Sequence, residues 1–207
     1  VNTISMSLQK LAESGDAGTE TLIRTARQAT RQLEHIVNSL TEAAHIDGAL
    51  KEDATSVFDF AALVNEYVAN SAQLHSDRRF LYRGPQHGVG VEGRDLRIAQ
   101  LLDKIKDNAL DFSAVDGEIR FELLVEDRHA ELSIVNDGPR IPDAVLQALY
   151  VGMGSLRLHT DSMPHLGIGL YIAKRIALHH GGELTVANRE PVSGVRVSLR
   201  LPLVVNA

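Results

Sequence analysis

The sequence predicts an α+β fold in which an antiparallel helical hairpin precedes a two-layer α/β sandwich. Two observations support this prediction. A long segment near the N-terminus carries apolar residues in a strict 4-3 spacing, which is typical of helices that pack in bundles. The rest of the chain mixes helical periodicity with pairs of short alternating strands, and such elements pack with the helices against one sheet. The predicted domains are 1–48 for the hairpin and 54–207 for the sandwich.

The composition limits the classes of protein to which this chain can belong. Its 207 residues, of which 44% are hydrophobic, suit one large or two small domains. No apolar run reaches the length of about 18 residues that predicts a membrane span. The absence of cysteine excludes disulfides and thiolate metal sites and agrees with a reducing, cytoplasmic setting. A net charge of −6 with 4% aromatic residues argues against a nucleic-acid surface.

The hairpin is predicted as two helices joined by a turn. Residues 1–11 show the last turns of an amphipathic helix, so we expect the chain to be part of a longer protein, and Glu13–Gly18 has the composition of a turn. The apolar face of the second helix consists of Leu22, Ala26, Ala29, Leu33, Ile36, Leu40 and Ala43. Two helices cannot bury so wide a face, so we expect a second copy of the chain to complete a dimeric four-helix bundle. The alternative is that the hairpin packs on the next domain. His35 and His45 are interpreted as polar-face residues.

The first half of the sandwich is predicted from caps and periodicity. The polar stretch Ile46–Ala54 marks the domain boundary, and Asp59 can cap a helix that runs to Leu74. The residues predicted to face inward on that helix are Phe60, Leu63, Val64, Tyr67, Val68 and Ala72. A second helix covers Arg94–Phe112, with Leu96, Ile98, Ala99, Leu102, Ile105 and Ala109 on its buried side. The strands predicted in this half are Thr55–Phe58, Arg79–Tyr82 and Gly88–Val91.

The second half contains two predicted strand pairs on either side of a loop and a helix. The strands are Glu118–Val125, Ala130–Val135, Glu183–Asn188 and Gly194–Leu201. A turn and a short helix, Asp143–Leu149, follow the first pair. Val151–Met163 has little periodicity and is long for a loop, which is typical of a functional lid. Gly167-Ile168-Gly169 is a predicted turn that opens the last helix, and Gly181-Gly182 ends that helix.

Three separate stretches carry residues suited to chemistry. Lys104, Asn108 and Asp111 share one polar helix face, where an Asn oxygen can bind Mg²⁺ but which can also be an ordinary solvated surface. In the stretch 136–142, NDGPRIP, an amide or carboxylate can read a base edge while Gly138 leaves room for a ring, although the same residues also suit a simple turn. The glycines before the last helix allow backbone N–H groups to approach phosphate, and glycines at such places are more often part of a turn alone.

The order of these stretches resembles the ATP-binding domain of sensor histidine kinases, a superfamily shared with gyrase, the Hsp90 chaperones and MutL. DKIKDNALDF is similar to the family's N-box, NDGPRIP to its first glycine box and HLGIGLYIAKRIALHHGG to its second. LYVGM, Leu149–Met153, resembles the phenylalanine box that begins the lid. The heptad segment resembles the dimerisation and phosphoacceptor hairpin of these kinases. The resemblance covers essentially the whole chain.

The resemblance implies a role for each matching residue. Asn108 stands at the position of the asparagine that binds Mg²⁺, and Phe112 matches the aromatic residue that packs on adenine. The ATP-binding residues that it implies are Phe112, Asn136, Asp137, Gly138, Arg157, Gly167, Gly169 and Leu170, of which Gly167, Gly169 and Leu170 would hold phosphates and Arg157 belongs to the lid. Lys104 replaces the first asparagine of the N-box and can supply positive charge. Because a charged lysine cannot activate water, this replacement favours transfer over hydrolysis.

Several residues depart from the family pattern. The His-Glu-Leu-Arg-Thr-Pro-like motif that carries the phosphorylated histidine is absent, and we expect no self-phosphorylation at that position. Asn136 stands where the family has the aspartate that reads adenine, and the loss of charge assistance predicts about five- to tenfold weaker ATP binding. Arg140 replaces a glycine and is expected to crowd the ring or contact the nucleotide. Asp111 replaces a lysine and is expected to turn away from phosphate or meet the metal.

The resemblance implies an ATP- and Mg²⁺-dependent protein-histidine kinase whose phosphoryl group passes to a response-regulator receiver domain. It also implies the cytoplasmic portion of a membrane-anchored bacterial sensor, which forms a homodimer and itself contacts neither membrane nor nucleic acid. Two alternatives remain open at this point. One is a signalling dimer whose nucleotide site has decayed, as Asn136, Arg140 and Asp111 would suggest. The other is an ATP-hydrolysing relative.

Overall fold

The structure is a computed structural model that describes residues 17–143, 146–147 and 166–204. The chain divides into two compact units, Val1–His45 and Ile46–Ala207. The predicted helix over residues 1–11, most of the predicted helix Asp143–Leu149 and the whole predicted lid lie outside the described residues. The predicted domain limits, 1–48 and 54–207, stay a prediction. No helix in the described part of the chain has the length and apolar character needed to cross a membrane.

Helix α1, Ala17–Lys51, is longer than predicted. The stretch in which the domain boundary was expected, Ile46–Ala54, is helical as far as Lys51 and includes Gly48. Ile46 and Leu50 are one helical turn apart and are 2% and 3% exposed. Burying two such side chains stabilises the last turns by several kcal/mol, against a cost of about 1 kcal/mol for a glycine within a helix.

Strand β1, Ser56–Asp59, leads into helix α2, Phe60–Leu74, with Asp59 as the predicted cap. The Ala62 N–H donates to Asp59 Oδ1 at 3.2 Å, which satisfies one of the free N–H groups of the first turn. One inward position was predicted wrongly: Ala72 is exposed and Ser71 is buried instead. Ser71 is tolerated there because its hydroxyl donates to the Tyr67 carbonyl at 2.8 Å.

Five strands form the main sheet in the order β2-β4-β5-β7-β6. Their bounds are β2 Arg79–Arg83, β4 Glu118–Glu126, β5 His129–Asn136, β6 Glu183–Asn188 and β7 Val195–Pro202. β2 and β4 are parallel, and every other neighbouring pair is antiparallel. β3, Gly90–Gly93, pairs with β1 in a separate two-stranded sheet. These bounds confirm the predicted α/β sandwich and differ from the predicted strands by one or two residues at most.

Helix α3, Asp95–Phe112, packs on the sheet and against the last helix, which also contacts the sheet. Its buried residues are Ile98, Leu101, Leu102, Ile105 and Ala109. The prediction that Leu96 is buried was wrong, because Leu96 is 63% exposed and Leu101 takes a place in the buried stripe. Leu96 and Ile98 are two positions apart, which is a rotation of about 200° around the helix axis, so their side chains cannot share a face.

Helix α4, Leu166–His179, includes the two glycines that were predicted to form a turn before it. Ile168 and Leu170 are 3% and 2% exposed. Burial of these two side chains stabilises the first turn as a helix. The predicted end of the helix is confirmed. Gly181 has a φ of +67° and the Gly182 N–H donates to the Ala177 carbonyl at 2.9 Å, the pattern of a glycine C-terminal cap.

Candidate functional site

The amide of Asn108 on α3 faces the start of α4. A Cβ atom placed on Gly169 would lie 3.5 Å from Asn108 Nδ2 and 3.8 Å from the Lys104 carbonyl oxygen. Both distances are ordinary contact distances, so the start of α4 lies directly against this face of α3. The middle-helix asparagine and the second predicted glycine therefore meet at one place, although about sixty residues separate them in the chain.

Asn108 Nδ2 is buried and has no hydrogen-bond partner among the described residues. An unpaired buried amide group costs about 1–3 kcal/mol, so such groups are rare and are often kept for a ligand. The nitrogen and oxygen of an amide exchange places by a 180° rotation, so an oxygen can occupy this position as well. An amide oxygen is a ligand that Mg²⁺ accepts, and the Asn108 position therefore fits the predicted metal ligand.

An apolar cleft lies beside Asn108, between α3, the sheet and the first turn of α4. The empty space in and in front of the cleft, open solvent included, is about 450 Å³. The apolar residues that line it are Ile105, Ala109, Phe112, Ile134, Pro139, Ile141, Leu170, Val186, Val195 and Val197. The two polar side chains in the lining are Asn108 and Asn136. An apolar slot with two amides on its wall suits a flat heteroaromatic ring.

The structure separates the two residues that the sequence offered for base recognition. Asn136 ends β5, is 6% exposed and lines the cleft. Its Nδ2 donates to Ser113 Oγ at 3.4 Å. Asp137 is exposed and forms an ion pair with Arg189 at 2.6 Å. Only Asn136 is therefore placed to contact a ring in the cleft.

Gly138 is required for a different reason from the predicted one. A Cβ there would lie 2.5 Å from the Phe112 carbonyl oxygen and 2.7 Å from Asn136 Nδ2. The glycine thus lets the loop after β5 approach the end of α3, where Phe112 lines the cleft. Gly138 fixes the position of the cleft wall.

The loop after β5 is bound to the β6–β7 connection. Asn188 accepts from the Ile141 N–H at 2.8 Å and donates to the Ile141 carbonyl at 2.9 Å. Arg140, which was expected to reach the ring or the nucleotide, forms an ion pair with Glu190 at 2.6 Å. Arg140 is not among the residues that line the cleft, and its contact with the ring or the nucleotide stays a prediction. Sequence analysis missed Asn188, because no local pattern links it to a backbone 47 residues away.

The outer edge of α3 carries most of the charge near the site. Burial raises the pKa of Asp107, and the nearby carboxylates Asp103 and Asp111 add to this effect, while Lys106 and Lys104 oppose it. Asp111 is exposed, as expected for a carboxylate that turns away from the cleft. Lys104 is half-buried one turn before Asn108, and its backbone borders Gly169. Lysine charge at this edge offsets the acidic side chains where an anion would enter.

The first turn of α4 provides the groups suited to an anion. The first N–H groups of a helix have no intrahelical acceptor, and the helix dipole favours negative charge there. Among the described residues, no neighbouring atom lies within 4 Å of the space that a Gly167 side chain would fill. Leu170 turns its side chain into the cleft lining. Arg157, the predicted phosphate ligand of the lid, lies outside the described residues.

Comparisons with known proteins agree with this arrangement. A family model described as histidine kinase-, DNA gyrase B-, and HSP90-like ATPase matches residues 93–205. The sensor protein CreC of Escherichia coli (strain K12) is 29% identical over 82% of this chain and 35% of its own length. The sensor histidine kinase WalK of Bacillus subtilis (strain 168) is 24% identical over 98% of this chain and 34% of its own length. The chain thus spans about a third of the length of these curated relatives.

Solved structures show the same fold. The mycobacterial sensor histidine kinase MprB is 25% identical and superposes with a TM-score of 0.60 over 72% of this chain and 98% of that chain. Histidine kinase ThkA, in complex with the response regulator protein TrrA, superposes with a TM-score of 0.71 over 98% of this chain and 57% of that chain, at 20% identity.

Proposed function

The chain belongs to the family of histidine kinase-, DNA gyrase B-, and HSP90-like ATPases, and from this membership we propose that it binds ATP with Mg²⁺ and transfers the γ-phosphate to a histidine side chain. Its homologues are sensor histidine kinases, and it corresponds to their catalytic domain. ATP binding follows from the family. The metal, the transfer reaction and the roles of individual residues are parts of the proposal.

The unpaired buried amide of Asn108 is the observation that carries the proposal. It borders both the apolar cleft and Gly169 at the start of α4. A metal ion held by Asn108 at this point would lie between a ring in the cleft and an anion at the helix start. This is the arrangement that a nucleoside triphosphate requires. When bound, Mg²⁺ would neutralise phosphate charge.

The residues of the chain would bind and orient the nucleotide. The apolar slot would hold adenine against Phe112, and the Asn136 side chain would accept from its amino group. Backbone N–H groups at Gly167, Gly169 and Leu170 would hold the phosphates. Catalysis would then rest on positioning and charge neutralisation, as in other phosphoryl transfers. Lys104 would add positive charge without serving as a base for water.

We further propose that the intact protein works as a homodimer in a phosphorelay. On α1, Leu33, Val37 and Leu40 are 56%, 52% and 37% exposed and lie on one stripe, which a second copy can cover in a four-helix bundle. The phosphoryl group would pass to an aspartate of a response regulator; ThkA, a structural relative, is seen with such a protein. The protein would be the cytoplasmic part of a membrane-anchored sensor.

A nucleotide-free signalling dimer is the main rival to this proposal. It was suggested by three departures from the family pattern, but Arg140 is paired with Glu190, Asp111 is exposed and Asn136 still lines the cleft. These positions favour a site that remains open to a nucleotide. An ATP-hydrolysing relative is the second rival, and steady phosphate release that is lost in Lys104→Ala would favour it.

Calorimetric titration with ATP and Mg²⁺ tests the proposed function. We expect binding by the chain, and about hundredfold weaker binding by Asn108→Ala, since a hydrogen bond or metal contact to a charged group is worth up to about 3 kcal/mol. The thermal stability of that variant should be unchanged or higher, because the unpaired amide is removed. Asn70→Ala, at an exposed asparagine on α2, is the matched control and should bind like the parent chain.

Two results would contradict the proposal. Absence of binding at millimolar ATP would favour the nucleotide-free dimer. Binding that is identical in the parent chain and in Asn108→Ala, with and without Mg²⁺, would remove Asn108 from the metal site.

A further inference from the structure

We infer that Ser113 fixes the orientation of the Asn136 amide and thereby makes the cleft selective for 6-amino over 6-oxo purines. The inference rests on the proposed function, because it assumes that a purine occupies the cleft lined by Asn136. Ser113 immediately follows α3 and does not line the cleft itself. It is therefore a positioning residue that acts through Asn136.

An asparagine side chain can form hydrogen bonds with either kind of purine. Its amide carries an oxygen that accepts and an NH₂ group that donates, and a 180° rotation exchanges the two. A carboxylate only accepts hydrogen bonds. A 6-amino purine offers a donor at the position where a 6-oxo purine offers an acceptor. An asparagine that rotates freely can thus serve both bases, and selectivity requires that its rotation be blocked.

The hydroxyl of Ser113 provides this block. Its Oγ donates to the Ala109 carbonyl at 2.6 Å, and a hydroxyl has one hydrogen to donate. Ser113 Oγ therefore presents only lone pairs to Asn136. Asn136 Nδ2 donates to it at 3.4 Å, longer than an ordinary hydrogen bond. In the opposite orientation, the amide oxygen would face an oxygen lone pair, and the two would repel each other.

The surroundings of Asn136 restrict its backbone and side chain. The Asn136 backbone is held in β5 between Ile119 and Val195, which are its partners on the two neighbouring strands. The side chain is 6% exposed. Gly138 has no side chain beside the amide, and a Cβ at that position would lie only 2.7 Å from Asn136 Nδ2. The remaining freedom is the rotation of the amide group, and Ser113 decides its direction.

In the fixed orientation, the hydrogen-bond acceptor of the Asn136 amide is the atom left for the base. With Nδ2 directed to Ser113, Oδ1 is the polar atom of Asn136 that remains for a ligand in the cleft. Oδ1 accepts from a 6-amino group and repels a 6-oxo group. The chain would thus select adenine without the charge of a carboxylate.

A comparison of ATP with inosine triphosphate tests this inference. The two nucleotides differ in the group at position 6 and in protonation of the adjacent ring nitrogen. We expect the parent chain to bind ATP at least about tenfold more tightly than inosine triphosphate in calorimetric titrations with Mg²⁺. In Ser113→Ala this ratio should fall by about fivefold, the change that one ordinary hydrogen bond supports. Ser113→Thr keeps the hydroxyl and should keep the ratio, and Asn136→Asp should raise it.

A matched control separates orientation from stability. Ser71 makes the same kind of bond as Ser113, from its hydroxyl to the carbonyl four residues earlier, at the end of α2. Ser71→Ala should lower the melting temperature as much as Ser113→Ala does and leave the nucleotide ratio unchanged. A purely structural role of Ser113 would weaken both nucleotides equally and would not move the ratio.

The outcomes distinguish the inference from the proposed function. If the parent chain binds neither nucleotide, the proposed function fails and the inference fails with it. If the parent chain binds both nucleotides equally, or if Ser113→Ala keeps the ratio of the parent chain, the inference alone is overturned. A fall of the ratio in Ser113→Ala that Ser113→Thr does not share supports it.

Discussion

The two ends of α4 are built in opposite ways. At its C-terminal end, polar groups are paired: His180 Nδ1 donates to the Ile176 carbonyl at 2.7 Å, and His180 Nε2 accepts from the Arg94 N–H at 3.1 Å. At its N-terminal end, Gly169 borders the Asn108 amide, whose Nδ2 has no partner within the described residues. One end of the helix therefore holds the fold together, while the other keeps a polar group available to a ligand.

The glycines at these two ends make the same contrast. A Cβ on Gly182 would overlap the Arg200 carbonyl oxygen and lie 2.7 Å from Leu201 Cδ2, so packing requires the glycine. A Cβ on Gly169 would meet its nearest neighbour, Asn108 Nδ2, at 3.5 Å, an ordinary contact distance. Packing therefore allows a methyl group at Gly169. A methyl group there would lie against the Asn108 amide, which lines the cleft.

The largest effect is expected for Gly182→Ala. Because a backbone atom blocks the new methyl group, the strand or the helix end must move, and the free energy of unfolding should fall by about 3 kcal/mol in urea denaturation. Gly181→Ala is the matched control: its φ of +67° makes alanine costly by about 1 kcal/mol, while the nearest atom is 3.5 Å away. Equal losses in the two variants would show that packing does not fix this end of α4.

The next effect is a dependence of stability on pH that comes from His180. Burial lowers the pKa of His180 below 6.5, and the nearby His179 lowers it further, against opposing effects of the Ile176 carbonyl and of Asp53. Below pH 6.5 the unfolded chain thus binds more protons than the folded one. The free energy of unfolding should therefore fall as the pH decreases from this value towards the lower folded pKa, by at most about 1.4 kcal/mol per pH unit.

Urea denaturation between pH 5 and 7 measures this dependence. His180→Gln keeps a side-chain acceptor for the Arg94 N–H but cannot titrate, so its slope should be smaller than that of the parent chain. His45→Gln, at an exposed histidine of α1, is the control and should keep the parent slope. A parent slope that survives His180→Gln would assign the titration to another group.

The smallest effect is expected for Gly169→Ala, and it should separate stability from binding. Alanine is favoured over glycine within a helix, so the free energy of unfolding should rise by about 0.5–1 kcal/mol. ATP affinity should fall severalfold in calorimetry, because the methyl group lies against Asn108. Gly48→Ala in α1, where no atom of another described residue lies within 4 Å of the new methyl group, should stabilise the chain without changing ATP affinity. Unchanged affinity in Gly169→Ala would show that the approach of α4 to Asn108 does not matter for binding.

Local signals in the sequence predicted many of the elements. Asp59 starts α2 and Gly181-Gly182 end α4, as their types require. Where the predictions failed, distant contacts outweighed local preference. Burial of Ile46 and Leu50 continues α1 through a glycine-containing polar stretch. The two glycines at the start of α4 likewise became helix rather than turn.

The candidate site was predicted in part. The sequence indicated Asn108, Phe112 and Asn136, which all line the cleft, but it also offered Asp137, which pairs with Arg189 on the surface. It could not indicate the ion pair of Arg140 with Glu190, which is 50 residues away. It offered no signal for Ser113 or Asn188, because an ordinary serine or asparagine acquires its role only from the group placed next to it.

The sequence by itself determined the periods, caps and alternation from which the helices and strands follow, since each depends on residues a few positions apart. It also contained the motifs that resemble those of sensor histidine kinases. Only the tertiary structure decided which polar groups are paired and which are left for a ligand. That outcome depends on which strands and helices lie side by side: the pairing of β5 with β7 brings Gly194 beside the Asn136 backbone, and the packing of α3 on α4 brings Asn108 to Gly169.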